Sequence, residues 1–217
     1  MRISPFALLA ALPLVGAVPR AANDDDGRWY VQFGAGFASP ANSTGPIQEI
    51  VFDDGFALHG LVGYRLSDPA PETRWGWSAE LEGYLSDADI RADGFAEVGA
   101  STSEDLTMTA VLLNGIFDWR WSDRVTLYGG GGVGYAPRID YQSFGNLDHE
   151  FGLVDSDAAA WQGKIGLRYR LGASASWVVG YRYLQTEDLA MEDEEIGSSF
   201  DLENRQHVLE FGMRWGE

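Results

Sequence analysis

Three histidines offer the most obvious reactive nitrogens in this chain: His59, His149 and His207. A serine hydrolase needs one of them as a base beside a serine, with an acid to orient the ring. On the alternation described below, His59 falls on an interior face, His149 in a connecting segment, and only His207 on an outer face near one rim. After the "YRY" of Tyr181 to Tyr183 come Leu184, Gln185 and Thr186, so no His-x-Ser pair stands there. No triad is legible, and the chain is expected not to be an enzyme. Gly129, Gly131 and Gly134 reproduce the spacing of a dinucleotide fingerprint, but that loop works only where a helix opens behind it to receive the pyrophosphate. Tyr135, Ala136 and Pro137 continue an extended pattern instead. These glycines are better read as room for bulky neighbours. The acidic run "AMEDEEIGSSFDLE" lacks the Asp-x-Asp-x-Asp-Gly spacing of a calcium loop. With no cysteine, thiolate sites and disulfides are excluded together. No cofactor and no metal are expected.

The remaining charged residues fall into a pattern. From Ala160 to Gln185, "AWQGKIGLRYRLGASASWVVGYRYLQ" sets Trp161, Ile165, Leu167, Tyr169, Trp177, Val179, Tyr181 and Tyr183 against Gln162, Lys164, Arg168, Arg170 and Arg182. A period of two means β-strands with one oily and one polar face. Eight such stretches occur: 28–38, 55–66, 75–86, 106–119, 126–136, two within 160–185, and 204–215. Each is long enough to cross a bilayer when tilted, for which about 9–11 residues suffice. No uncharged apolar run of helix-spanning length follows the N-terminal segment.

The connectors alternate in length. Those after the second, fourth and sixth stretches are short ("SDPAPETR", "RWSDRV", "GAS"), and the others are long and mostly acidic. Glu187 to Glu203 carries eight carboxylates and no basic residue. Such segregation marks a transmembrane β-barrel. The expected fold is all-β, an eight-stranded antiparallel up-and-down transmembrane barrel. Trp29, Trp75, Trp77, Trp119, Trp121, Trp177 and Trp215 then lie near the short-turn ends, with Trp161 at the other rim, as an interfacial aromatic girdle. The oily face looks toward lipid. The polar face turns inward, placing Arg65, Glu80, Glu82, Asp118, Lys164, Arg168, Arg170, Arg182, Glu210 and Arg214 in the lumen. An eight-stranded interior is just wide enough for side chains to fill it, and buried charges must pair. Depth matching sets Glu80, Glu82 and Glu210 opposite Lys164, Arg168 and Arg182 in a salt-bridged plug.

A net charge of −18 argues against nucleic acid as a partner. The start, "MRISPFALLAALPLVGAVPRAANDDDG", has a positive residue, a short apolar core and small residues beyond it. Residues 1–22 are expected to be a signal peptide, cut after about residue 17 to 22, and 23–217 the barrel domain.

"LNGIFDW", "LYGGGGVGYA", "AWQGKIGLRYRL" and "WVVGYRYL" resemble blocks of the opacity/OmpA-like family of eight-stranded outer membrane β-barrels. The resemblance spans essentially the whole mature chain. It implies a small, monomeric barrel in the outer membrane of a Gram-negative bacterium, in contact with membrane lipids and lipopolysaccharide. Barrels of that family end on an aromatic residue, whereas here Gly216 and Glu217 follow Trp215. The function this implies is non-enzymatic: an envelope-structural role, or surface interaction with a partner through the long acidic loops. A narrow porin-like channel or carrier for small solutes is the alternative.

Overall fold

The structure is a computed structural model. It describes residues 28–41, 43–44, 49–52, 54–69, 73–92, 104–141, 145–146, 149–153, 157–193, 198–202 and 204–216. The expected signal peptide lies outside the described residues.

Eight long strands form the wall: β1 (Trp29–Pro40), β2 (Gly55–Ser67), β3 (Trp75–Ala92), β4 (Glu104–Arg120), β5 (Val125–Tyr141), β6 (Ala158–Arg170), β7 (Ala175–Thr186) and β8 (Arg205–Trp215). Every strand pairs antiparallel with its neighbours in the chain. β1 pairs with β8 from Val31 opposite Trp215 to Pro40 opposite Gln206, which closes the sheet into a barrel. Closure leaves no open edge in the wall, so its backbone groups are satisfied without water. The strands alternate as their sequences do. Along β7, Val178, Gly180, Arg182, Leu184 and Thr186 are buried, while Trp177 and Tyr181 are exposed. A one-residue slip would exchange the two faces completely.

The short-turn end is tightly knit. The Trp121 and Ser122 amides donate to the Val125 carbonyl at 3.0 and 3.1 Å, and Ser122 Oγ accepts from the Val125 amide at 3.1 Å. Leu171 N–H donates to Ala175 O at 2.9 Å across the next turn. Adjacent turns are also tied to one another, through Arg120 N–H to Arg74 O at 2.6 Å and Arg170 N–H to Arg124 O at 2.8 Å. At the opposite end the strands continue into the long connections. The segments Ser43–Thr44 and Glu49–Phe52, between β1 and β2, extend the sheet beyond β3, with Ile50 opposite Ala92. His149–Leu153 pairs with Leu189–Asp193, which pairs with Ser198–Leu202, so the connections after β5 and β7 share one small sheet.

Two bulges interrupt the ladder. One lies where β2 turns toward β3, between Arg65 and Ser67. In the other, Thr109 opposes Arg138 and Val111 opposes Tyr135, so β5 carries an extra residue at Ala136–Pro137. Proline donates no hydrogen bond, and a bulge is where a strand tolerates it. The glycine run of β5 sits in a continuous strand with no helix behind it, which removes the phosphate-loop reading. A Cβ at Gly132 would collide with the Asn114 side chain and the Leu113 carbonyl. Replacing Gly132 with leucine is therefore expected to destabilise the barrel by about 1–3 kcal/mol through overpacking. Urea unfolding in micelles, followed by the heat-dependent gel shift, checks this. An unchanged midpoint would mean that the wall yields freely.

Candidate functional site

The interior is divided into two tiers. Toward the short turns it is ionic. Four carboxylates (Glu80, Glu82, Asp118, Glu210) and four cations (Lys164, Arg168, Arg182, Arg214) are buried there, so the formal charges balance. Most of them join one circuit. Arg214 Nη2 donates to Glu80 Oε1 at 2.8 Å. Lys164 Nζ lies 3.7 Å from Glu80 Oε2 and 3.2 Å from Glu82 Oε2. Arg182 bonds Glu82 through Nη2 and reaches Glu210 Oε2 through Nη2 at 2.8 Å and Nε at 3.1 Å. Glu210 lies 3.6 Å from His59 Nδ1, and His59 Nε2 lies 3.3 Å from Gln32 Nε2. Gln32 Oε1 then accepts from Arg214 Nε at 3.1 Å, returning to the start.

Six strands contribute to this circuit, and neutral groups fasten the others. Asn114 on β4 and Gln162 on β6 donate to Glu82 Oε2 at 2.8 and 2.9 Å, and Gln162 also donates to Asn114 Oδ1 at 2.6 Å. Tyr30 donates to Glu80 Oε1 at 2.8 Å, and its ring underlies the Arg214 guanidinium at 3.9 Å. Arg182 lies over Tyr84 at 4.7 Å. Asp118 and Arg168 form a separate ion pair nearer the turns, and the Arg168 guanidinium lies 5.5 Å from the centre of the Tyr128 ring on β5. Burial makes such groups costly when unpartnered, and the multiple donor groups on Glu80, Glu82 and Glu210 offset that cost.

Toward the long connections the interior changes to apolar. Ala38, Ala110 and Ala136 pack with Met108, Leu112 and Leu184, all at most 2 % exposed. Tyr84 marks the boundary, its ring in this cluster and its hydroxyl donating to Gln206 Oε1 at 3.0 Å.

The ten charged residues assigned to the lumen by phase do not all share one site. Glu80, Glu82, Lys164, Arg182, Glu210 and Arg214 meet in the circuit, and Asp118 and Arg168 pair below it. Arg168 thus faces Asp118 and not the glutamates. Arg65 sits half-buried at the short-turn rim, 3.7 Å from Asp68 and 3.3 Å from the Gly216 carbonyl. Arg170 is a correction. It is exposed at the rim, because it has the interior phase but lies at the last rung before the turn. Phase selects a face and not a height. The neutral members Tyr30, Gln32, His59, Asn114 and Gln162 complete the network, and the signal for them was the same alternation without a charge to draw the eye.

On the outer wall Trp29, Trp75, Trp77, Trp119, Trp121, Trp161 and Trp177 are exposed, and Trp215 is half-buried. Trp77 meets Phe117 edge-on at 5.1 Å, and Trp119 meets Trp121 at 5.3 Å. Phe37, Leu81, Leu113, Val133 and Ile165 are also exposed, each at least 58 %. Apolar side chains out and ions in is the inverse of a water-soluble barrel. Among the described residues no helix is long and apolar enough to cross a membrane, and no metal-holding cluster of His, Asp and Glu occurs.

A closed eight-stranded antiparallel barrel with an apolar exterior and an ion-paired core defines a transmembrane β-barrel protein. Residues 7–214 match the outer membrane protein beta-barrel domain family, and the chain belongs to it. It is an outer membrane protein of a Gram-negative bacterium. Among solved structures it is similar to Neisserial surface protein A, with 17% identity, covering 88% of this chain and 98% of that one at a TM-score of 0.58. It is also similar to OprG of Pseudomonas aeruginosa, with 14% identity, coverage of 88% and 96%, and a TM-score of 0.53. The outer membrane protein AlkL gives 19% identity, coverage of 90% and 92%, and a TM-score of 0.54. At these identities the likeness is one of fold. No curated protein sequence matches the chain.

Arg182 joins two carboxylates, so replacing it with methionine is expected to cost about 3–5 kcal/mol by leaving Glu82 and Glu210 short of a counter-charge. Adding Glu82→Gln to that variant is expected to recover part of the loss. Equilibrium unfolding in detergent measures both. A loss under about 1 kcal/mol for the single variant would show that the circuit is not coupled.

Proposed function

We propose that this is a non-enzymatic, non-conducting barrel that works as an envelope-structural element or as a mount for surface interaction through its long acidic loops. The observation that carries this reading is the two-tier interior. A standing aqueous path would leave the side chains along it exposed, yet Glu82 and Arg182 in the ionic tier, and Ala38, Ala136 and Leu112 in the apolar one, are at 0 % exposure. An ion entering from either end meets a different obstacle, paired charges on one side and a dehydrated apolar layer on the other.

The outer end supports the second half of the proposal. The connections after β5 and β7 share a small sheet of their own, and the one after β1 extends β3, so described parts of the loops are themselves ordered by strand pairing. The stretch from Glu187 to Glu203 is strongly anionic, which favours a cationic or cation-bridged partner at the surface. A narrow channel or a carrier for small solutes ranks second, because it requires both tiers to rearrange at once.

Recordings from the purified protein in planar lipid bilayers test the reading. The expected result is a quiet membrane at protein levels where a porin control gives discrete steps. Reproducible unitary steps from the wild-type chain would overturn it in favour of the channel.

A further inference from the structure

At the end that carries the long connections, the seam between β1 and β8 does not continue into the loops. Its ladder runs up to Pro40 opposite Gln206, and Ala41 N–H donates to Arg205 O at 2.8 Å. Beyond that bond the two chains part. After β1, Ser43–Thr44 pairs with Glu49–Phe52, which pairs with the end of β3, so this connection is bonded toward β3 and not toward β8. The β7–β8 hairpin instead extends upward. Thr186 N–H donates to Asn204 O at 3.1 Å, and Leu189–Asp193 pairs with Ser198–Leu202, from Leu189 opposite Leu202 to Asp193 opposite Ser198. The other edge of Leu189–Asp193 is taken by His149–Leu153. Ser198–Leu202 is therefore the terminal strand of the small sheet, and its edge on the β1 side has no strand partner among the described residues.

In an antiparallel ladder, successive residues turn their N–H and C=O alternately toward and away from a given neighbour. Ser198–Leu202 thus bonds Leu189–Asp193 through some of its residues and directs the backbone groups of the alternate ones outward. Such an edge is a template for one more strand, and proteins that leave it open guard it with charge. Here the charge has one sign. Glu187 to Glu203 carries eight carboxylates and no basic residue, and Asp201 belongs to the edge strand itself. A second copy of the chain would bring the same edge and the same charge, and like charges across a strand pair are destabilising. A basic segment meets a complementary potential. A helical partner satisfies its own backbone and gains nothing from an open edge.

We propose that the outward edge of Ser198–Leu202 is a strand-addition site for an extended peptide segment rich in lysine or arginine. The segment lies along the edge as a further strand of the small sheet, and its main chain bonds the outward N–H and C=O groups. Backbone bonding supplies the attachment, and the sign of the charge selects who attaches. The proposal rests on the surface-interaction reading above and deepens it, by naming the strand that binds, the mode of binding and the charge of the partner. It asks nothing of the lumen, which the bilayer recordings read separately.

The test uses the full mature protein in lipid nanodiscs at physiological ionic strength, titrated with a fluorescent peptide of alternating lysine and valine. One control peptide is the same sequence N-methylated at every peptide nitrogen, which keeps the charge and donates no main-chain hydrogen bond. A second alternates glutamate and valine. The lysine peptide is expected to bind on the order of tenfold more tightly than its methylated form, and the glutamate peptide not to bind. Amide hydrogen exchange is expected to slow at Ser198–Leu202 when the lysine peptide is added, with Glu49–Phe52 unchanged. Asp201→Asn is expected to weaken binding about threefold while the heat-dependent gel shift is kept. Equal affinity for the lysine peptide and its methylated form would overturn the proposal and leave a charge-driven surface interaction standing. Absence of binding by both would overturn it together with the cationic-partner reading. Full protection of Ser198–Leu202 before any peptide is added would also overturn it, since the edge would then be covered by this chain or, where protection rises with protein concentration, by a second copy.

Discussion

The barrel is organised around one electrostatic requirement: eight ionised groups are held out of water and must neutralise one another. Isolated burial of a carboxylate or guanidinium is prohibitive, and an ion pair compensates only when the remaining donors and acceptors are also met. Here Glu82 receives Lys164, Arg182, Asn114 and Gln162 together. Those four residues come from β6, β7, β4 and β6, so the carboxylate is satisfied only when distant strands have closed around it. The local ladder can form pair by pair, but the ionic tier is complete only once β1 has met β8, because Gln32 must reach both His59 and Arg214.

Space for this chemistry is made by omission. An eight-stranded interior cannot hold a long side chain at every inward position. Glycine therefore faces inward where a neighbour is large. A Cβ at Gly34 would occupy the place of the His59 ring, and one at Gly132 that of the Asn114 amide. Alanine has the same role in the upper tier, where Ala38, Ala110 and Ala136 leave room for Met108, Leu112 and Leu184. The two tiers thus use the same stratagem with different fillers, and the choice of filler decides whether the layer is ionic or dehydrated.

How much of this was legible in the chain follows from what alternation can and cannot encode. The period of two specified the wall, the inward face and the eight strands, and the loop parity specified which end carries the long connections. It placed Glu80, Glu82, Lys164, Arg182 and Glu210 on the inward phase. It carries no height, so Arg170 looked like its neighbour Arg168 although one is exposed at the rim and the other is buried against Asp118. Nor does it rank partners across the lumen, which is why Arg168 was matched to glutamates that lie on a higher rung. The alanine tier was in view at the same inward positions, but a small neutral residue reads equally well as filler anywhere. The Tyr181 hydroxyl lies 2.6 Å from His207 Nδ1, a contact that depends on the register between β7 and β8 and is absent from any single strand.

The bulge in β5 shows how the alternation is protected where it matters. Because a single phase assigns both faces, an extra residue inverts everything on one side of it. On β5 the extra residue comes at Ala136–Pro137, after Tyr128 and the glycines that adjoin the ionic tier. Below it the phase is unbroken, and the wall leaves clear the space that Asn114 and Gln162 occupy. Above it Ile139 turns inward to join the apolar layer, while Arg138 turns out. Had the bulge come a few residues earlier, the inward glycines would have exchanged places with Val133 and its neighbours, and the ionic tier would have been overfilled on one side. Placed where it is, the defect serves the upper tier, since without the shift Arg138 would have been carried into a layer that holds no counter-charge among the described residues.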